Sequence, residues 1–296
     1  GCKFGLEQEL MTQALKQIVV RAPPGSGADL RIGYREAGSG PALLALHGVG
    51  SSSLSFAPQI EALSAHFRVI AWDAPGYGGS DDYAGEPTAG AYADVAAGLL
   101  DALGIDSANV VGHSMGGLIS AALVARHAAR IKRVVLSSCA SGYASMDTNE
   151  REQRLASRVG LFEQEGAAGV GAARGPGNCA PTTSQATVAR VVDIMSRVRK
   201  EGYFAGAQLL DTGDVFVELE RWPTPPPATL VIVGAHDRTT PPSGSRRIAH
   251  VLRGSRYQEL SASAHAGYLE QPELFSTLLA EHFSPDRAAG ACAACE

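Results

Sequence analysis

Ser114 stands in a sequence setting that suits covalent catalysis. It occupies the centre of Gly112-His113-Ser114-Met115-Gly116, which follows a short apolar run and precedes a helical pattern. A sharp turn from a strand into a helix strains the backbone, and glycines beside the serine avoid side-chain clashes there. Such a turn exposes the hydroxyl for attack on an electrophilic carbon. The alternative is that Ser114 only caps the helix.

A serine hydroxyl is a weak nucleophile at neutral pH, so a base must take its proton and a carboxylate must orient that base. His265 is the candidate base, because it lies in a loop of small residues after the run 257–260. Asp237 is the candidate acid, and it follows the apolar run 229–233. The chain order of serine, acid and histidine is the one found in folds that carry a serine on such a turn. We therefore predict that Ser114, Asp237 and His265 form a catalytic triad.

Two other side chains could fill these roles on chemistry alone. His236 is next to Asp237, but adjacent side chains at the end of a strand point in opposite directions. Asp73 also closes an apolar run, yet it precedes Ser114 and would break the chain order. Its Pro- and Gly-rich surroundings, residues 73–80, are typical of a turn. We expect Asp73 to brace a loop beside the site.

Acyl transfer at a serine also requires N–H donors for the oxyanion of the tetrahedral intermediate. The N–H of Met115 is one candidate, because it immediately follows Ser114. The loop 47–51 follows an early apolar run, and the N–H of Val49 is the second candidate. Both groups belong to the backbone, so this oxyanion hole needs no special side chain.

The elements that must position these residues alternate along the chain. Apolar runs typical of strands recur between segments with helical spacing, and they cover residues 30–36, 42–46, 68–72, 108–111, 134–137, 229–233 and 257–260. This alternation predicts an α/β fold with a mostly parallel, doubly wound sheet. In such a sheet the loops at the carboxyl ends of the strands gather at one edge, where the candidate residues would meet.

About eighty residues between the fifth and sixth runs lack a convincing strand. Helical spacing predicts helices at residues 151–165, 185–200 and 203–210, and the Gly- and Ala-rich segment 166–181 is typical of a flexible hinge. We interpret this region as an inserted helical cap. The predicted domains are a core at residues 18–142 and 223–284, a cap at residues 143–222, and terminal extensions at residues 1–17 and 285–296.

The predicted cap should form an apolar roof over the reacting centre. The candidate substrate-binding residues are His113, Met195, Phe204, Leu209 and Trp222. The alternative for the four cap residues is that they belong to the core of the cap itself. We expect His47 and His113 to shape loops rather than to move protons.

Composition limits the partners of the chain. It has 296 residues, of which 45% are hydrophobic, and a net charge of -5 without a dense Lys and Arg cluster, so nucleic acid is not an expected partner. The chain has no apolar run of about 18 residues, and residues 1–17 lack the apolar core of a secretory signal. We therefore expect no membrane partner and a cytoplasmic location. No metal or organic cofactor is implied.

Cys292 and Cys295 form a C-x-x-C in an Ala-rich tail that we expect to be disordered.

Residues 30–283 resemble the α/β-hydrolase superfamily. The resemblance lies in His47-Gly48, Asp73-x-Pro75-Gly76-Tyr77-Gly78, the Ser114 turn, Gly234-x-x-Asp237 and His265. The later half is similar to the 3-oxoadipate enol-lactonase group through Glu201-Gly202-Tyr203, residues 228–237, Ala264-His265 and residues 269–273.

The resemblance implies hydrolysis of an ester or lactone of a small, fairly apolar substrate through an acyl-enzyme. Hydrolysis of a carbon–carbon bond, an amide or a thioester remains open, because the same triad serves all three reactions. A ligand receptor that keeps the fold without steady turnover also remains open.

Overall fold

The computed structural model describes residues 14–21 and 27–284. Eight strands in this part of the chain form one sheet. The strands are β1 (Lys16–Val20), β2 (Leu30–Ala37), β3 (Ala42–Leu46), β4 (Arg68–Trp72), β5 (Ala108–His113), β6 (Ile131–Ser137), β7 (Ala228–Gly234) and β8 (Arg256–Leu260).

Ten α-helices flank this sheet within the described ranges. They are α1 (Ala57–Leu63), α2 (Ala89–Ala102), α3 (Met115–His127), α4 (Thr148–Arg174), α5 (Gln185–Met195), α6 (Lys200–Thr212), α7 (Val215–Glu220), α8 (Pro242–Val251), α9 (Gly267–Glu270) and α10 (Pro272–Phe283). Within residues 14–21 and 27–284, none of the helices combines the length and the hydropathy needed to cross a bilayer.

The sheet has the strand order β1-β2-β4-β3-β5-β6-β7-β8. β1 and β2 run antiparallel to their neighbours, and all pairs from β4 to β8 are parallel. Central strands such as β3 are buried along their whole length, which explains their continuous apolar runs. The prediction of a mostly parallel α/β sheet is confirmed.

Strand β1 begins at Lys16, inside the terminal extension predicted for residues 1–17. Four of its five residues are exposed or only partly buried, because it lies at the edge of the sheet. An edge strand of this kind has no strong apolar pattern to find. Cys292 and Cys295 lie outside the described residues.

Helices α4 to α7 lie between β6 and β7, and we call residues 148–220 the insert. The prediction of a hinge at residues 166–181 is wrong, because α4 continues to Arg174 and is interrupted only at Gly166. The φ of Gly166 is 64°, which glycine adopts readily and other residues avoid. Alanine, the strongest helix former, carries the helix through the rest of this segment.

The helix predicted over residues 185–200 ends earlier, at Met195, and α6 begins only at Lys200. The hydroxyl of Ser196 donates a hydrogen bond of 2.7 Å to the carbonyl of Val192, within the last turn of α5. Periodicity alone cannot detect this break, since apolar residues continue at helical spacing across it.

His282 on α10 links the helix to the sheet through a hydrogen bond of 3.2 Å from its Nε2 to the carbonyl of Ala228. Burial lowers the pKa of His282 to about 4. Between about pH 6.5 and pH 4 the unfolded chain binds this proton and the folded chain does not. The free energy of unfolding therefore decreases as pH falls through that window, by at most about 1.4 kcal/mol per pH unit from this group.

We expect His282→Gln, which keeps an N–H donor but cannot titrate, to weaken this pH dependence. Urea unfolding at pH 7 and pH 4.5 measures the change. The exposed His250→Gln serves as the control and should behave as the wild type does. Equal pH dependence in the wild type and in His282→Gln would contradict the assignment.

Candidate active site

Ser114 lies between β5 and α3 in a strained backbone conformation, with a φ of 56° and a ψ of -116°. Its N–H donates to the carbonyl of Ser137 over 2.9 Å. Its own carbonyl accepts from the N–H groups of Gly117 at 2.9 Å and Ala140 at 3.1 Å. These three bonds hold the turn in place, so the strain is maintained by the surrounding strands.

The glycines around Ser114 are required by close packing. A Cβ on Gly112 would collide with the carbonyl of Gly116, and a Cβ on Gly116 would collide with the carbonyl of Leu46. The sequence reasoning found these positions because a turn this tight leaves no room for side chains on either side of the serine.

Asp237 and His265 form a buried pair at the carboxyl ends of β7 and β8. His265 Nδ1 lies 2.9 Å from Asp237 Oδ2, and the Asp237 side chain is fully buried. Asp237 Oδ1 accepts from the N–H groups of Thr239 at 2.9 Å and Thr240 at 2.8 Å. Burial opposes ionisation, but His265 and the N–H and hydroxyl groups of Thr240 outweigh it and lower the pKa of Asp237 to about 2.

An ionised Asp237 holds the proton of His265 on Nδ1, because a carboxylate accepts hydrogen bonds and cannot donate them. Nε2 is then left without a proton and can act as a base. The exposed His236 does not take part in this pair, in agreement with the expectation that adjacent side chains diverge.

Thr240 is a residue of the site that sequence reasoning missed. Its hydroxyl lies 2.8 Å from Asp237 Oδ2 and 2.9 Å from the carbonyl of Ser138. Ser138 has a φ of 43°, so a second strained serine lies close to the acid. The sequence does hold a signal for Thr240: an aspartate is followed three residues later by a threonine. This spacing is typical of a turn in which the carboxylate accepts backbone N–H groups.

His113 holds the loop that carries His265 through a hydrogen bond to the backbone. Its Nε2 donates to the carbonyl of His265 over 2.8 Å. Burial, with a smaller contribution from His265, lowers the pKa of His113 to about 3. His113 is therefore neutral at physiological pH and acts as a fixed donor.

His47 and Asp73 fix the loops that follow β3 and β4. His47 Nε2 accepts from the N–H of Ala74 at 3.0 Å, and burial lowers the pKa of His47. Asp73 accepts from the N–H groups of Ser53 at 2.7 Å and Gly79 at 2.9 Å. Asp73 thus ties the loop after β4 to the loop after β3, in agreement with the bracing role that the sequence indicated.

A cavity of about 220 Å³ opens between the sheet edge and the insert, and Ser114, His265 and the loop 48–51 line one side of it. Val49 is among the lining residues, and Met115 is the buried first residue of α3. A Cβ on Gly48 would lie 3.0 Å from the Cβ of Ser114, so this loop runs directly beside the serine. The first N–H groups of a helix have no partner within the helix, which leaves that of Met115 available to a ligand.

Two of the five predicted substrate-binding residues, His113 and Met195, line the cavity, and three do not. Phe204 packs against Phe162 at 5.6 Å between ring centres. Leu209 is fully buried, and its neighbour Leu210 faces the cavity instead. Trp222 donates from Nε1 to the carbonyl of Ala121 at 2.8 Å, which ties the segment just after the insert to α3. Neighbouring residues on a helix point roughly 100° apart, and the sequence alone does not show whether Leu209 or Leu210 faces the cavity.

The roof of the cavity is not uniformly apolar. Apolar side chains such as Val191, Ile194 and Met195 contribute to it, but so do Arg158 and Arg174 on α4. Neither arginine was predicted from the sequence to line the site. Arg174 lies in the segment 166–181, which the sequence indicated to be a flexible hinge.

Glu270 joins the insert to the loop that carries His265. Its Oε1 accepts from the N–H of Ala180 at 2.6 Å and from the hydroxyl of Thr183 at 2.5 Å. Its Oε2 accepts from the N–H of Ala264 at 2.8 Å. One half-buried carboxylate therefore fixes the insert beside the base.

We expect Glu270→Gln to reduce kcat/KM roughly tenfold, because an amide would direct an N–H group at one of these donors. The melting temperature should fall by a few degrees. Ester hydrolysis and thermal unfolding measure the two effects. The exposed Glu273→Gln is the matched control, and a Glu270→Gln enzyme with wild-type kinetics would rule out this positioning role.

A family model described as the alpha/beta hydrolase fold matches residues 41–272. The match covers most of the chain and includes every residue of the site described above. The chain therefore belongs to the α/β-hydrolase fold family.

Several known proteins are similar to the chain. A pimeloyl-(acyl-carrier protein) methyl ester esterase from Chromobacterium violaceum is 30% identical over 83% of this chain and 95% of its own length. The structure of an enol-lactonase from Burkholderia xenovorans LB400 is 30% identical, covers 86% of this chain and 97% of its own, and has a TM-score of 0.76. Uncharacterised mycobacterial proteins, among them one from Mycobacterium bovis, are 35% identical over 119 residues, so the chain spans about a third of their length.

Proposed function

We propose that the protein hydrolyses a carboxylic ester or lactone of a small molecule through an acyl-enzyme on Ser114. One observation carries the proposal: the strained Ser114 lines the same cavity as His265, which is paired with the buried Asp237 behind it. The cavity is smaller than the usual range for drug-sized ligands, which favours a small acyl compound.

In this mechanism Ser114 Oγ bonds to the acyl carbon while its proton passes to His265 Nε2. The N–H groups of Val49 and Met115 donate to the oxyanion that forms. The intermediate then breaks the bond to the leaving oxygen, which takes the proton from His265. In a lactone the leaving oxygen stays attached to the acyl group.

Water completes the cycle by attacking the acyl-enzyme while His265 again takes a proton. The bond to Ser114 Oγ breaks, the serine recovers its proton, and the carboxylic acid is released. Asp237 stays ionised throughout and holds the imidazole. We propose that residues 143–222 act as a cap that excludes bulk water during these steps.

Two relatives support the choice of ester and lactone substrates over other acyl compounds. One is named for methyl ester hydrolysis and the other for enol-lactone hydrolysis, and each is 30% identical to the chain over most of its length. Fold alone would not distinguish these reactions from amide, thioester or carbon–carbon bond cleavage.

A panel of p-nitrophenyl acetate and butyrate, short lactones, amides, thioesters and a diketone tests the proposal. We expect steady turnover of esters or lactones at rates above those of the other classes. Faster cleavage of the amide, thioester or diketone would contradict the assignment of bond type. Stoichiometric labelling by a fluorophosphonate, with no steady turnover of any substrate, would identify a receptor instead.

A further inference from the structure

Arg158 and Arg174 are the charged side chains of the described residues that line the cavity, and no aspartate or glutamate lines it with them. The carboxylate of Asp237 lies behind His265 and is fully buried. The walls around a bound ligand therefore carry positive charge with no opposing charge at the surface of the cavity.

The kink at Gly166 brings these two arginines to one place. They are separated by 16 positions, which in a straight helix would place them roughly 24 Å apart at about 1.5 Å per residue. Instead both line the same cavity, and the charge of Arg158 acts on Arg174. The interruption of α4 therefore places both positive charges in the wall of one cavity.

Other arginines of α4 have acidic partners. Arg151 pairs with Asp211 at 2.7 Å, and Arg154 pairs with Glu150 at 3.0 Å. Arg158 instead donates to the hydroxyl of Tyr143 at 3.3 Å, and neither Arg158 nor Arg174 forms an ion pair with a carboxylate of the described residues.

Two polar atoms at this end of the cavity are buried without a hydrogen-bond partner among the described residues. They are Nε of Arg174 and the hydroxyl of Tyr203, and the Tyr203 side chain is almost completely buried. Burial, followed by the like charge of Arg158, lowers the pKa of Arg174. Leaving these two buried atoms unpaired is costly, and an anionic ligand beside the two guanidinium groups would supply a partner.

We infer that the substrate carries a carboxylate, which Arg158, Arg174 and the Tyr203 hydroxyl bind while Ser114 attacks the ester or lactone carbonyl. A planar guanidinium matches the two oxygens of a carboxylate. This inference rests on the proposed function and replaces a fairly apolar substrate with an acidic one.

The test compares monomethyl glutarate, a carboxylate-bearing ester, with neutral dimethyl glutarate. We expect the wild type to favour the acid ester roughly 10- to 100-fold in kcat/KM, which is the range for a hydrogen-bonded ion pair. In Arg174→Gln and Arg158→Gln the ratio between the two substrates should fall towards one. Arg154→Gln is the matched control on the same helix and should keep the wild-type ratio.

A wild type without preference for the acid ester, or an Arg174→Gln enzyme with the wild-type ratio, would overturn the inference. Failure of the proposed function looks different, because then neither glutarate ester nor any ester or lactone of the substrate panel would be hydrolysed. In that case thermal unfolding with added glutarate still tests the anion site. Glutarate should raise the melting temperature of the wild type and have no effect on Arg174→Gln, whereas a rise with inorganic phosphate and none with glutarate would refute the carboxylate.

Discussion

Replacing Ser114 with alanine should lower the turnover of the best ester by roughly 10⁴- to 10⁶-fold and leave the protein folded. The change removes only Oγ, so no acyl-enzyme can form. The backbone strain at this position remains the same, because serine and alanine both carry a Cβ and both must adopt the φ of 56°. Initial rates of ester hydrolysis and a thermal unfolding curve measure the two parts of this expectation.

A matched control for this variant is Ser276→Ala. Ser276 is a buried serine on α10 that does not line the cavity, and its hydroxyl has no hydrogen-bond partner among the described residues. Its replacement should leave the activity unchanged. If Ser114→Ala retained more than a few per cent of the wild-type rate, the nucleophile would have to lie elsewhere.

The sheet could be predicted from the sequence because its central strands are buried on both faces. β3 and β4 were predicted with their observed bounds, since each is an apolar run ended by a polar residue. The same logic placed Ser114, Asp237 and His265 after three strands. Parallel strands then bring these three positions to one edge of the sheet, although the runs are far apart in the chain.

The lining of the cavity could not be predicted in the same way. Phe204 and Leu209 were chosen because they are large and apolar, but such residues also form the interior of the insert. Periodicity finds the apolar face of a helix without stating which neighbour that face contacts. Met195 does line the cavity, and its methyl group packs close to Gly50 beside Ser114.

Arg174 shows a second limit of the sequence. Glycine occurs both in linkers and at kinks within helices, and only the packing of the insert selects between them. Because Gly166 interrupts α4 without ending it, the helix continues for about two more turns and places Arg174 in the cavity wall. One backbone conformation thus decides the charge of the site.

Asp237→Asn should reduce kcat by roughly 10⁴-fold with little change in the fold, because it would place the proton of His265 on the wrong nitrogen. Asp237 Oδ1 accepts two backbone N–H groups, from Thr239 and Thr240, so the oxygen of an asparagine must stay at that position. The amide nitrogen then takes the place of Oδ2 and donates to His265 Nδ1. The proton of the neutral imidazole moves to Nε2, which can no longer accept one from Ser114.

Thr240→Val provides the comparison for this variant. It removes one donor to Asp237 Oδ2 but keeps the carboxylate and the tautomer of His265, so its effect should be about tenfold or less. Steady-state kinetics of both variants on one ester measure the difference, with thermal unfolding as the check on folding. Equal and small losses of kcat in the two variants would contradict this role and mean that Asp237 only holds its loop in place. A large loss in Asp237→Asn beside a small one in Thr240→Val is expected only if Asp237 sets the tautomer of His265.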